Sequence, residues 1–131
     1  MTIEFEISTL IPATAGQIYD AWLDSEAHTR MTGGKAQVSA QVGGEFTAWD
    51  GYIHGKNLAL EPGRRILQAW RTADFAEDDE DSLLEVIFEP EADGTRVRLR
   101  HSHLPDEDGS GYEQGWVLNY FEPMKDYFLK K

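Results

Sequence analysis

One amphipathic stripe near the end of the chain governs what the rest can be. Between Gly109 and Phe128 (GSGYEQGWVLNYFEPMKDYF), Tyr112, Trp116, Tyr120, Met124 and Tyr127 recur at steps of three and four residues. Val117, Phe121 and Phe128 widen the stripe. This is the periodicity of one buried helical face, and an aromatic face so broad requires a hydrophobic partner. Ser110 and Glu113 have the spacing of a capping box, and Asp106, Glu107 and Asp108 place negative charge at the positive end of the helix dipole. Pro123 falls inside the stripe, removes one backbone hydrogen bond and predicts a kink near Asn119. The kink divides the helix into Tyr112 to Tyr120, roofing a pocket, and Met124 to Phe128, anchoring the end.

The preceding residues read as the partner. Thr2 to Leu10 alternates like a strand, with Ile3, Phe5 and Ile7 on one face and Glu4, Glu6 and Ser8 on the other. Pro12 ends it. Thr14 with Gln17 is a second capping box opening a short helix, and Ser25 can cap another that Gly33-Gly34 stops. From Lys35 to His103 the punctuation is that of an antiparallel meander, with turn signals at Gly43-Gly44, Asp50-Gly51, Pro62-Gly63 and Asp93-Gly94. Strands are predicted near 35–41, 44–50, 52–60, 65–72, 82–89 and 95–103. The acidic run Glu77 to Asp81 supplies one longer connection, a solvated loop that could dock a basic partner. In the last strand Val97 and Leu99 share one face, while Arg96, Arg98 and Arg100 share the other and should pair with strand acids. The expected fold is α+β: a curved antiparallel sheet of about seven strands around a long C-terminal helix, with two short helices after the first strand.

Length and charge narrow the function classes. A chain of 131 residues predicts one domain spanning 1–131. The net charge of −12 repels phosphate backbones and anionic lipid, so neither nucleic acid nor a membrane surface is expected as partner. Cysteine is absent, which excludes disulfides and thiolate chemistry. No apolar run approaches membrane-spanning length and the N-terminus lacks a signal peptide's basic start, so a cytoplasmic location is expected.

The order of elements and five segments carry a family resemblance: IYDAWLDSE, GGEFTAWDGYIHG, EPGRRILQAWR, HSHLPD and GWVLNYFEPMKDYF, with the two short helices preceding the meander. Together they resemble the activator-of-heat-shock-protein-90-ATPase homologue (AHSA-like) family of the START-like SRPBCC superfamily. The resemblance covers essentially the whole chain. It implies a helix-grip cavity between sheet and long helix, usually apolar and gated at one end by the two short helices. It also implies two further readings: a co-chaperone-type module acting on a heat-shock chaperone ATPase, and a cyclase- or aromatase-like enzyme using the same cavity.

Candidate site residues follow from the aromatic content. Trp22, Phe46, Trp49, Trp70, Phe88, Trp116, Tyr120 and Phe121, with Met31 and Met124, read one by one as core and together as a pocket wall. His101 and His103 should project to the same side as Val97 and Leu99; they read as a hydrogen-bonded pair, as ligand-orienting groups or as two metal ligands lacking a third. His101 matches a histidine of the family's HS-x-LP segment. His28 and His54 read as surface or turn residues. No spacing forces two carboxylates together, and nucleophile-elbow, phosphate-loop, dinucleotide and calcium-loop patterns are absent. The expected cavity lining is Trp22, Met31, Phe46, Trp49, Trp70, Phe88, Leu99, His101, Trp116, Tyr120 and Met124, with no catalytic residue, metal or cofactor. The function expected is non-enzymatic binding of a small hydrophobic or amphipathic ligand, by a monomer or homodimer, with a chaperone as the alternative partner. In the enzyme reading, His101 or Tyr120 would move a proton.

Overall fold

The computed structural model describes residues 2–105 and 109–130. Six antiparallel strands form one curved sheet: β1 (Thr2–Ile11), β2 (Glu45–Ala48), β3 (Ile53–Glu61), β4 (Arg65–Thr72), β5 (Ser82–Glu91) and β6 (Gly94–Pro105). Their spatial order is β1-β6-β5-β4-β3-β2, so the first strand closes onto the last. Two short helices, α1 (Ala15–Trp22) and α2 (Ser25–Thr32), follow β1. The C-terminal segment comprises α3 (Gly109–Trp116), a π-helical turn (Val117–Phe121) and α4 (Glu122–Leu129).

Alternation decides which face is buried. Ile66, Gln68 and Trp70 of β4, Leu84, Val86 and Phe88 of β5, and Val97, Leu99 and His101 of β6 point inward. The apolar ones among them form one core with Ile18 and Trp22 of α1, Met31 of α2, and Trp116, Tyr120, Phe121, Met124 and Phe128 of the C-terminal segment. The opposite face is an ionic ladder. Arg98 bridges Glu6 and Glu89, Arg100 bridges Glu6 and Glu85, and Arg65 bridges Glu61 and Glu85. The arginines of the last strand thus pair with strand acids, as expected.

The Thr14 capping box forms in full, Thr14 Oγ1 accepting from the Gln17 N–H and Gln17 Oε1 from the Thr14 N–H. The second helix is capped differently from expectation. Asp24 Oδ2 accepts the Ala27 N–H, and Ser25 faces the other way. Ser25 Oγ accepts the Val38 N–H and donates to the Val38 carbonyl, while Thr29 Oγ1 accepts the Ala36 N–H. These hydroxyls explain a second difference. The expected strand at 35–41 is reduced to a single bridge between Gln37 and Thr47, because α2 side chains occupy the backbone groups a ladder would use. Among the described residues six strands result, not seven. The acidic charges expected of Asp106, Glu107 and Asp108 lie outside the described residues, as does the Ser110 side chain of the expected cap.

Pro123 acts where the sequence places it. Without an N–H it cannot donate to the carbonyl of Asn119 in an α-helical bond. The backbone widens into π geometry, and the Glu122 N–H reaches the Val117 carbonyl. The extra residue lets both Tyr120 and Phe121 face the core while Leu118 and Asn119 face outward.

Candidate functional site

A cleft of about 280 Å3 opens between the C-terminal segment and one end of the sheet. Trp49, Tyr52, Ile53 and Trp70 wall it on the sheet side; Tyr112, Gly115, Trp116, Asn119 and Tyr120 wall it on the helix side. The rings meet at steep angles. Trp70 stands at 88° to Tyr112 with centroids 5.4 Å apart and at 40° to Trp116 at 5.7 Å; Trp116 meets Tyr120 at 51° and 4.7 Å. Gly115 keeps the helix wall low: a Cβ there would meet only Asn119 Nδ2, at 3.8 Å.

Trp49 reaches the cleft through a costly backbone. It has φ +51° and Asp50 has φ +60°, the left-handed region that disfavours a bulky side chain by about 1–2 kcal/mol per residue. The turn is fixed by bonds from the Asp50 N–H to Lys35 O, Gly51 N–H to Ala48 O and Tyr52 N–H to Trp49 O. Gly34 supplies the space for the indole; a Cβ there would lie 2.3 Å from Trp49 Cε3. Strain of this kind is found where the surroundings over-determine a residue, often at ligand sites.

Two buried histidines brace the wall from behind, and their tautomers follow from their partners. The Trp116 Nε1–H donates to His101 Nδ1 across 3.0 Å. The His101 proton therefore sits on Nε2 and donates to Ser82 Oγ at 2.9 Å, and Ser82 donates to the Trp70 carbonyl at 2.6 Å. His28 has the other tautomer. Its Nδ1–H donates to the Trp22 carbonyl and its Nε2 accepts from the Tyr120 hydroxyl, each at 2.8 Å. Burial lowers the pKa of both rings, that of His101 to about 3, and raises that of the Tyr120 phenol. At neutral pH the site is uncharged in its interior.

Of the residues expected to line the cavity, Trp49, Trp70, Trp116 and Tyr120 meet around the cleft. Trp22 stacks behind Tyr120 at 5.1 Å, and His101 lies edge-on behind Trp70 at 4.5 Å. Met31, Leu99 and Met124 are enclosed in the core, Phe46 packs against Gly55, and Phe88 packs against Tyr19. His103 corrects its expectation: a bulge puts it at φ +60°, exposed and turned away from His101. His28 corrects the other, since it is 2% exposed and bonded at both nitrogens. Its signal was its place on the α2 face with Met31 and Thr32, three and four residues on. Tyr52, Ile53, Tyr112, Gly115 and Asn119 complete the lining; Tyr112 was legible in the stripe, whereas the others depend on turn and π-helix geometry. Among the described residues no group of three histidines or carboxylates is placed to hold a metal, and no helix is long and apolar enough to cross a membrane.

A six-stranded sheet gripping a C-terminal helix over an aromatic cleft defines the START-like helix-grip class. The chain belongs to the Activator of Hsp90 ATPase homolog 1-like protein family, whose profile matches residues 12–128. It is similar to an HSP90 activator of Plasmodium falciparum, with a TM-score of 0.86, 25% identity and 95% of each chain covered. It is also 25% identical to the mouse activator of 90 kDa heat shock protein ATPase homolog 2, over 95% of this chain and 37% of that protein. A Dictyostelium discoideum homologue is 27% identical over 84% of this chain and 29% of its own length. The chain thus spans about a third of these two relatives.

Proposed function

We propose that this domain binds a small apolar or amphipathic molecule, without transforming it, in the cleft between the sheet end and α3. The observation that carries this reading is the cleft itself, about 280 Å3 walled by Trp49, Trp70, Trp116 and Tyr120. Its size is at the lower end for small-molecule sites, which are concave, mostly apolar and equipped with a few polar groups. Here those groups are the Asn119 amide and the Tyr52 and Tyr112 hydroxyls. Native mass spectrometry and thermal-shift measurements with hydrophobic ligands test it, alongside the variant Gly115→Leu. That side chain has room at its Cβ, suits a helix better than glycine and projects into the cleft. Ligand-induced stabilisation that Gly115→Leu abolishes supports the reading; no ligand response from the wild type ends it.

The names of the mouse and Plasmodium relatives favour a second reading, a co-chaperone module acting on an Hsp90-type ATPase. The acidic loop offers a defined surface for it. Arg71 donates to the carbonyls of Ala76 and Asp79 and to Asp81 Oδ1, holding the loop in one shape. Capture of the chaperone, lost when residues 77–81 are neutralised, would support this module, and failure to capture it would remove it.

A further inference from the structure

Resting on the binding reading above, we propose that the ligand is a free, compact organic ammonium ion, held by ring faces and by Asp74 at the mouth. Three features of the cleft point to positive charge. Its walls carry three tryptophans and three tyrosines, whose electron-rich faces attract cations. Its rim, shared by Tyr52, Tyr112, Gly115 and Asn119, includes Asp74, whose Oδ2 accepts the Tyr52 hydroxyl at 2.6 Å. Among the described residues lining cleft and rim there is no lysine, arginine or histidine.

An anion would therefore enter without a counter-charge, against the field of a chain carrying −12. A neutral ligand would gain buried area and hydrogen bonds to Asn119 and the tyrosine hydroxyls, but no attraction from charge. A cation gains the rings and the carboxylate together. Ring geometry bears on the shape: successive ring pairs meet at 88°, 40° and 51°, and walls without a parallel pair favour a rounded head over a flat plate. The want of a basic side chain also argues against a phosphocholine lipid headgroup, whose phosphate would be unpaired.

The probes are three molecules of matching shape: choline, 3,3-dimethylbutan-1-ol and 3,3-dimethylbutanoate, titrated against intrinsic tryptophan fluorescence and by calorimetry. Choline should bind about tenfold more tightly than the alcohol, with the carboxylate weakest. Asp74→Asn, at an exposed position, should weaken choline more than it weakens the alcohol; thermal melting checks that the variant is folded. Equal or tighter binding of the alcohol overturns the charge preference. Indole separates the two levels of failure. If indole binds and choline does not, only the ammonium inference falls; if neither binds, the cleft reading falls with it.

Discussion

The Tyr120 hydroxyl donates to His28 Nε2 across 2.8 Å, joining the π-helical turn to α2 through a bond that is buried at both ends. Each partner is otherwise enclosed by rings, His28 lying edge-on to Trp22 at 5.5 Å and to Tyr120 at 5.5 Å. The bond sets the position of a cleft-lining ring from a helix that does not itself reach the cleft.

Tyr120→Phe should therefore destabilise the fold by about 1–3 kcal/mol, because it leaves His28 Nε2 as an unpaired buried acceptor. His28→Leu should cost a similar amount by stranding the phenol. The double variant should cost less than the sum of the two, since neither polar group then remains. Urea denaturation of the four proteins measures this, and simple additivity would show that the bond contributes nothing.

Stability should fall with acid in a window set by the buried histidines. Both have folded pKa values below the ordinary 6.5, so below that pH the unfolded chain binds protons that the folded chain refuses. Stability is undiminished by them above about pH 6.5 and declines as pH drops towards about 3, where His101 finally protonates in the fold. Denaturation midpoints between pH 7 and 5 read this slope before most carboxylates titrate. His101→Gln keeps a hydrogen-bonding side chain that cannot titrate; it should lower stability at pH 7 yet flatten the slope.

Gly34→Ala tests how firmly Trp49 is held. The new Cβ would overlap the indole at 2.3 Å from Cε3, and Gly34 has an ordinary backbone that alanine can adopt. The expected loss is about 1–3 kcal/mol from overpacking, with a shift in tryptophan emission as the ring moves outward. Unchanged emission and stability would mean that the turn yields freely and that Trp49 is not fixed over the cleft.

The order of elements was legible in the sequence because period and punctuation agree along most of it. Ile3, Phe5 and Ile7 alternate, Val97 and Leu99 oppose three arginines, and Thr14 meets Gln17 at capping-box spacing. What was not legible depends on partners distant in the chain. The stretch 35–41 has strand composition, but Ser25 takes the backbone of Val38 and Thr29 that of Ala36. His28 is polar and looked exposed until Tyr120, ninety-two residues away, gave its ring a partner. The alternation that linked His101 to His103 fails at a bulge, which no period reveals. At the cleft, the tryptophans stood out by type, whereas Tyr52 and Asn119 arrive through a left-handed turn and a π turn.

Trp116 separates packing from hydrogen bonding at the cleft wall. It is almost fully buried, so Trp116→Ala should cost about 3–5 kcal/mol through lost contacts and the cavity left behind. Trp116→Phe keeps a ring in place but removes the Nε1–H, and with it the donor that occupies His101 Nδ1. That nitrogen then faces space opened towards the cleft, where water can reach it and where it can accept a proton. The histidine should consequently titrate at higher pH than about 3, so the acid decline of Trp116→Phe should level off at higher pH than that of the wild type. NMR titration of the His101 ring in both proteins checks the cause directly. An unchanged His101 titration in Trp116→Phe would show that enclosure by Trp70 and Phe5 alone keeps the ring neutral. The loss at pH 7 would then belong to packing, with the relay from Trp116 to Ser82 contributing geometry alone.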